Sequence, residues 1–311
     1  MRKNLWDCHG VEDSQVLYSE VMADDTGLFS MLAKIVCSPF SATNTPDSNH
    51  CILQHRNGYV LVNETPYDSA EPTKELLERI AFIRLTHYGG FYDFIPDLAL
   101  ADTAYTNLAL TAHTDTTYFS DPAGLQAFHL LSHHPAARGE DRDATGDLGG
   151  KSLLVDGFRT ATLLKQSHPW AYNALRCVRL PWHASGNKGI TIAPDKYYPV
   201  FELDDAKNLH KIRWNNDDRG VVPLNTPHMS VNMWFRAARI WNTMLEDPVN
   251  QFWLQLKPGT VLSMRSLYPC YLYIPWTKQQ PWQSSTTGAF SMAAVPLPAR
   301  GESAEVTVCT L

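Results

Sequence analysis

A chain of 311 residues is long enough to bury a substantial core in one large domain, and its 44% hydrophobic, 19% charged and 11% aromatic content excludes the disordered class. A formal charge of -6 with no long Lys/Arg run excludes nucleic acid as a partner, because phosphates call for clustered cations. What remains is small-molecule chemistry, for which 9 Trp and 13 Tyr supply ample material for an aromatic pocket.

In chain order, residues 36–55 (VCSPFSATNTPDSNHCILQH) are rich in Ser, Thr, Pro and Asn and carry no period, so they read as a long inserted surface loop. The run GYVLVNE from Gly58 is short, apolar and β-branched, the signature of a buried strand. A helix is predicted next: Pro72 suits its first turn, Leu76, Leu77, Ile80 and Ile83 share a face, and Glu75 is placed to pair with Arg79. Strands are then predicted at LQAFHLL from Leu125, SLLVDG from Ser152, HKIRW from His210 and QFWLQL from Gln251, the last ending in the turn Lys257-Pro258-Gly259. Helices interrupt them at residues 160–167, 169–178 and 230–246. Many strands with helices on the flanks suggest a mainly β fold of the double-sheet, jelly-roll kind.

Six scattered cysteines without a close pair fit a reducing compartment. The opening MRKNLWDCHGVEDSQ turns acidic before a secretory core can form, and no apolar run approaches the roughly 20 residues of a membrane span. No membrane is therefore expected as a partner. The expected compartment is the cytoplasm, with the mitochondrion as the alternative, and a homodimer is compatible with this.

The chemistry is concentrated at His113-Thr114-Asp115, within AYTNLALTAHTDTTYFSDPAGLQAFHLL. On extended backbone alternate side chains point the same way, so His113 and Asp115 can converge on one metal as two-thirds of a facial triad. Such a triad leaves positions open for a 2-oxo acid and oxygen. A lone His-x-Asp triplet more often marks an ordinary loop. Its setting is what sharpens it: with GGKSLLVDGF from Gly149 and IRWNNDDRG from Ile212, the stretch resembles the trimethyllysine and γ-butyrobetaine dioxygenases, a branch of the taurine/clavaminate-type oxygenases. The resemblance runs from about Gly58 to Leu262, with echoes in LWDCHG and GLFSMLAKI.

That resemblance implies the double-stranded β-helix of 2-oxoglutarate oxygenases, with Fe(II), 2-oxoglutarate as cosubstrate, and ascorbate. It further implies hydroxylation of N6,N6,N6-trimethyllysine at C3, the first step of carnitine biosynthesis. His113 and Asp115 are then catalytic iron ligands, and Ser152 bonds the 2-oxoglutarate carboxylate; the plainer reading of Ser152 is an edge-strand hydroxyl meeting water. Tyr88, Tyr92 and Tyr105 match a cage for the trimethylammonium group, which has no N–H to donate and is recognised by aromatic faces. Asp102 would attract the α-ammonium of trimethyllysine and repel the carboxylate of γ-butyrobetaine. Asn215 and Asn216, or Arg213 and Arg219 beside them, would hold the substrate carboxylate; the plainer reading there is a solvated turn. The alternatives are a γ-butyrobetaine dioxygenase, and a protein that binds quaternary ammonium compounds without turnover.

The sequence departs from the family after the KPG turn, where a third ligand His and an Arg for 2-oxoglutarate are expected. The last histidine is His228, and neither Arg265 nor Arg300 sits in a matching motif, so the third ligand is not found and the chain is expected to be nearly inactive. His183 is the one other candidate ligand. These features divide the chain into an oxygenase domain, 1–262, with a non-family insertion at 36–55, and an atypical tail, 263–311. Pro269, Pro275 and Pro281 are expected to keep that tail out of the sheet, leaving the C-terminal part of the barrel incomplete and the tail poorly ordered.

Overall fold

The computed structural model describes residues 5–10, 14–35, 57–87, 89–94, 111–132, 151–185, 189–224, 229–265, 271–275 and 306–310. In chain order these form β1 (Gln15–Leu17), α1 (Tyr18–Ala23), α2 (Asp25–Ile35), β2 (Tyr59–Asn63), α3 (Glu71–Ile80) and β3 (Tyr92–Phe94). There follow β4 (Leu125–Leu130), β5 (Ser152–Asp156), α4 (Gly157–Ser167), α5 (Pro169–Cys177), β6 (Arg179–Leu180), β7 (Tyr198–Pro199), β8 (Phe201–Leu203) and β9 (Leu209–Ile212). Last come α6 (Val231–Glu246), β10 (Gln251–Leu254), β11 (Thr260–Arg265), β12 (Tyr271–Pro275) and β13 (Val306–Thr310).

Two sheets organise the described residues. The larger has the order β1-β2-β11-β4-β13-β3 and the smaller β10-β5-β12, while β6-β7 and β8-β9 are separate ladders. On one face of the larger sheet Val60, Val62, Ala127 and Val261 pack against Val16, Val21, Met31, Ile35, Leu76 and Leu77, so α1, α2 and α3 cover that side. The period-2 alternation of β4 then turns Gln126 and Phe128 the other way, inward. Trp6 stands between the sheets, 5.4 Å from Tyr59 of β2 and 6.1 Å from Phe252 of β10.

All five residues of β5 are buried, as a central strand covered on both faces requires. Leu153 and Val155 join the core of α4, α5 and α6, where Trp182, Trp234 and Trp241 are buried. Full burial of side chains this size is worth about 2–3 kcal/mol each, which makes this helical layer a firm platform for the 212–218 segment. Asp156, on the other face of β5, accepts from the backbone N–H groups of Phe158 and Arg159 to cap α4, and its second oxygen accepts from that of Trp6 at 3.1 Å.

Some sequence expectations fail here for identifiable reasons. Ile83 lies beyond the end of α3, and Arg79, instead of pairing with Glu75, donates to the Val21 carbonyl and to Asp25. The tail is not excluded from the sheets: β12 pairs antiparallel with β5, and β13 lies between β4 and β3. Pro275 ends an edge strand, where a missing N–H costs no ladder bond, and VTVCT in β13 is proline-free and β-branched. Residues 36–55 lie outside the described residues. Among the described residues no helix is long and apolar enough to cross a membrane.

Candidate active site

The His113-Thr114-Asp115 turn leads into β4, and the structure brings its two functional side chains together. His113 Nε2 lies 3.2 Å from Asp115 Oδ1, with only 13% and 16% of the two side chains exposed. The other ring nitrogen, Nδ1, is 2.7 Å from the Thr111 carbonyl, an acceptor, so Nδ1 carries hydrogen and Nε2 is aimed at the carboxylate. Gln126 of β4 donates to Asp115 Oδ2 at 2.7 Å, leaving Oδ1 as the oxygen that faces His113. Two donors about 2.1 Å from one divalent ion and at right angles lie about 3.0 Å apart, so Nε2 and Oδ1 have the separation of adjacent coordination positions.

Electrostatics concentrate at the same place. Burial alone would lower the His113 pKa, but the hydrogen bond and charge of Asp115, helped by the Thr111 carbonyl and Asp218, raise it to about 9. Asp218 is the neighbouring carboxylate that sequence reasoning missed. Burial pushes its pKa up to about 7, against the pull of the Thr117 hydroxyl and the charge of His113. In the sequence Asp217 and Asp218 are indistinguishable; burial alone selects the second.

Ser152 lies in the central strand of the smaller sheet, fully buried, on the same side of β5 as Asp156, and its hydroxyl has no partner among the described groups. The edge-strand, water-facing reading of Ser152 is thereby overturned. An orphaned buried hydroxyl fits a place for a ligand oxygen. Asn215 is half-buried and donates to Asp218 at 3.1 Å, whereas Asn216 is exposed and accepts from Arg219 at 3.3 Å. Arg213, weighed above as a substrate-carboxylate partner, is fully buried and bonded instead to Glu202 and to the carbonyls of Thr117, Phe119 and Ser120. Tyr88, Asp102 and Tyr105 lie outside the described residues. Tyr92 is placed only by its backbone, opposite Val308 in the β3–β13 ladder.

Among the described residues no third His, Cys, Asp or Glu completes a ligand set with His113 and Asp115; the three-residue group there is the turn Asp7, Cys8, His9. His183 is not brought to the pair. Its Nδ1 is 3.0 Å from Ser185 Oγ, and its backbone N–H donates to the Asp218 carbonyl.

A family profile, taurine catabolism dioxygenase TauD, TfdA family, matches residues 39–264. The chain belongs to this family. The TauD/TfdA match begins inside the 36–55 stretch and ends at Met264 in β11. Over 282 residues, 83% of this chain and 56% of the relative, the sequence is 50% identical to a trimethyllysine dioxygenase of Neurospora crassa. The γ-butyrobetaine dioxygenase of Homo sapiens is 24% identical over 196 residues, 63% of this chain and 47% of the relative. The chain thus spans about half the length of these curated relatives. Among solved structures, an asparagine oxygenase in complex with Fe(II), 3-hydroxyasparagine and succinate shares the fold with TM-score 0.53 at 13% identity, over 82% of this chain and 74% of that one.

Proposed function

We propose that this chain is the core of an Fe(II)- and 2-oxoglutarate-dependent dioxygenase that hydroxylates N6,N6,N6-trimethyllysine at C3, the first step of carnitine biosynthesis. The observation that carries the reading is the 3.2 Å approach of His113 Nε2 and Asp115 Oδ1, in a chain 50% identical to a trimethyllysine dioxygenase. The succession β10-β5-β12 and β1-β2-β11-β4-β13-β3 supports a double-stranded β-helix in which one tail strand takes an edge and the other an interior place.

His113 and Asp115 would hold Fe(II) in adjacent positions, Thr111 fixing the tautomer of the first and Gln126 the orientation of the second. The buried Ser152 hydroxyl would donate to a carboxylate of 2-oxoglutarate. When bound, iron and 2-oxoglutarate supply the oxygen chemistry: one atom of O2 enters succinate as CO2 leaves, the other becomes the new hydroxyl, and ascorbate keeps the iron reduced. The substrate would be held by Tyr88, Tyr92 and Tyr105 around its trimethylammonium, Asp102 at its α-ammonium, and Asn215 with Asn216 at its carboxylate. No histidine follows His228, so the C-terminal strands offer no third imidazole, and this polypeptide is expected to turn over weakly or not at all.

The test is Co(II) and trimethyllysine binding by calorimetry, with succinate release measured beside a version whose residues after Leu262 are exchanged for a family-like strand bearing His and Arg. The reading requires Co(II) binding to disappear in His113→Ala and succinate release to follow trimethyllysine in the exchanged chain. Preference for γ-butyrobetaine, or metal binding indifferent to His113, would refute it; ligand binding without succinate from either chain would mark a non-catalytic quaternary-ammonium binder.

A further inference from the structure

The metal-binding turn is held under strain by a segment a hundred residues away. Thr116, directly after Asp115, has φ +53, a strained conformation that β-branched residues avoid. Such a backbone persists only where its surroundings over-determine it: Thr116 itself accepts from the Phe119 and Ala123 N–H groups, and the residues on either side of it are held by Arg213–Asp218. The Thr114 N–H donates to the Trp214 carbonyl at 2.7 Å, and the Trp214 N–H donates back to Thr114 Oγ1 at 2.9 Å. The Arg213 guanidinium, with no exposure, caps three carbonyls of the turn: Thr117 at 2.7 Å, Phe119 at 2.7 Å and Ser120 at 3.0 Å. Behind it, Glu202 of β8 accepts at 2.7 Å and the face of Tyr198 of β7 lies 4.0 Å away, so the arginine is fixed to both strands. At the middle of the turn the Thr117 hydroxyl donates to Asp218, whose backbone carbonyl is tied to His183.

We propose that Arg213 and Asp218 are positioning residues that clamp the middle and far half of the 114–120 turn, while the Trp214 backbone holds its first residue, and that they so keep His113 and Asp115 at metal-binding separation. The inference rests on the metal-site reading above. Neither residue reaches the His113–Asp115 pair by a hydrogen bond described here; each acts through Thr117 or the backbone around it. Groups bonded directly to metal ligands typically contribute about 10- to 100-fold to metal affinity, and residues acting one step further out are expected at the lower end, about 10-fold.

The experiment uses the full chain with Co(II) as the probe, read by calorimetry and by the visible d–d spectrum. Thr117→Val removes the hydroxyl at constant shape, Asp218→Asn weakens the acceptor, and Thr117→Ser restores the hydroxyl. Leu76→Ala, in the distant helical layer, controls for general loss of stability. Binding is compared where circular dichroism shows each variant folded, and either Thr117→Val or Asp218→Asn alone suffices should the other not fold. The expected result is about 10-fold or greater weakening with an altered spectrum in Thr117→Val and Asp218→Asn, near-native behaviour in Thr117→Ser, and unchanged affinity in Leu76→Ala. Native affinity and spectrum in both clamp variants, or equal weakening in Leu76→Ala, would overturn the clamp while leaving the metal site standing. Co(II) binding indifferent to His113→Ala would instead remove the metal site itself, and the clamp with it.

Discussion

Replacing Arg213 by Met removes a guanidinium that is 0% exposed while keeping much of its apolar stem. Four acceptors lose their donor: Glu202, whose side chain is 18% exposed, and the carbonyls of Thr117, Phe119 and Ser120. Two of these recover water, because Ser120 is exposed and Phe119 half-exposed, whereas the Thr117 carbonyl belongs to a fully buried residue. Breaking a buried pair typically costs about 3–5 kcal/mol, of which one orphaned buried carbonyl accounts for about 1–3 kcal/mol. Against a total stability of about 5–15 kcal/mol this is a large fraction, about two to four powers of ten in the folding equilibrium. At about 2 °C per kcal/mol for a chain of this length, the melting temperature should fall by roughly 6–10 °C. Arg213→Lys keeps the charge but cannot reach all three carbonyls with one ammonium, so it should fall between the two. Thermal melts followed by circular dichroism decide the matter: a shift below about 2 °C for Arg213→Met would mean that Arg213 is not the clamp its bonds suggest.

Other outcomes follow from the same structure. His129 is fully buried between β4 and α3, with Nδ1 2.6 Å from Thr73 Oγ1, and burial lowers its pKa to about 4. The unfolded chain, at about 6.5, binds that proton more readily, so stability is complete above pH 6.5 and is lost as pH falls toward 4, by roughly 3 kcal/mol in all. Because Asp218, raised to about 7, contributes with the opposite sign over the same window, the measure is the difference between the native chain and His129→Gln in melts between roughly pH 4 and 7: the variant should gain relative stability as pH falls, and parallel curves would exonerate His129. Gly220→Ala should destabilise by about 1–3 kcal/mol, since an added Cβ would lie 2.3 Å from the Pro181 carbonyl; urea unfolding midpoints provide the measure. Ser152→Val should weaken 2-oxoglutarate binding without lowering the melting temperature, because it removes a hydroxyl with no protein partner among the described groups; calorimetry with Co(II) present separates the two effects.

The sequence by itself determined the elements whose signals are local. The run at Gly58 became β2, SLLVDG became β5, Ser230 caps α6 at Met233 N, and Gly259 takes φ +85 in the Lys-Pro-Gly turn. The approach of His113 and Asp115 was legible only in part: alternation allows two side chains to converge, but it was the resemblance of the surrounding motifs that singled out this His-x-Asp triplet. Tertiary structure decided what depends on distant partners. Arg79 chose Asp25 over Glu75, Arg213 was taken from the substrate by the 117–120 carbonyls, and Asp218 was separated from Asp217 by burial. The tail joined the sheets because β5 and β4 each had a neighbour position to fill, and unpaired strand edges recruit whatever compatible segment reaches them. None of these outcomes is written in a window of ten residues, because hydrogen-bond satisfaction is settled by what comes close in space, and only the folded chain sets that.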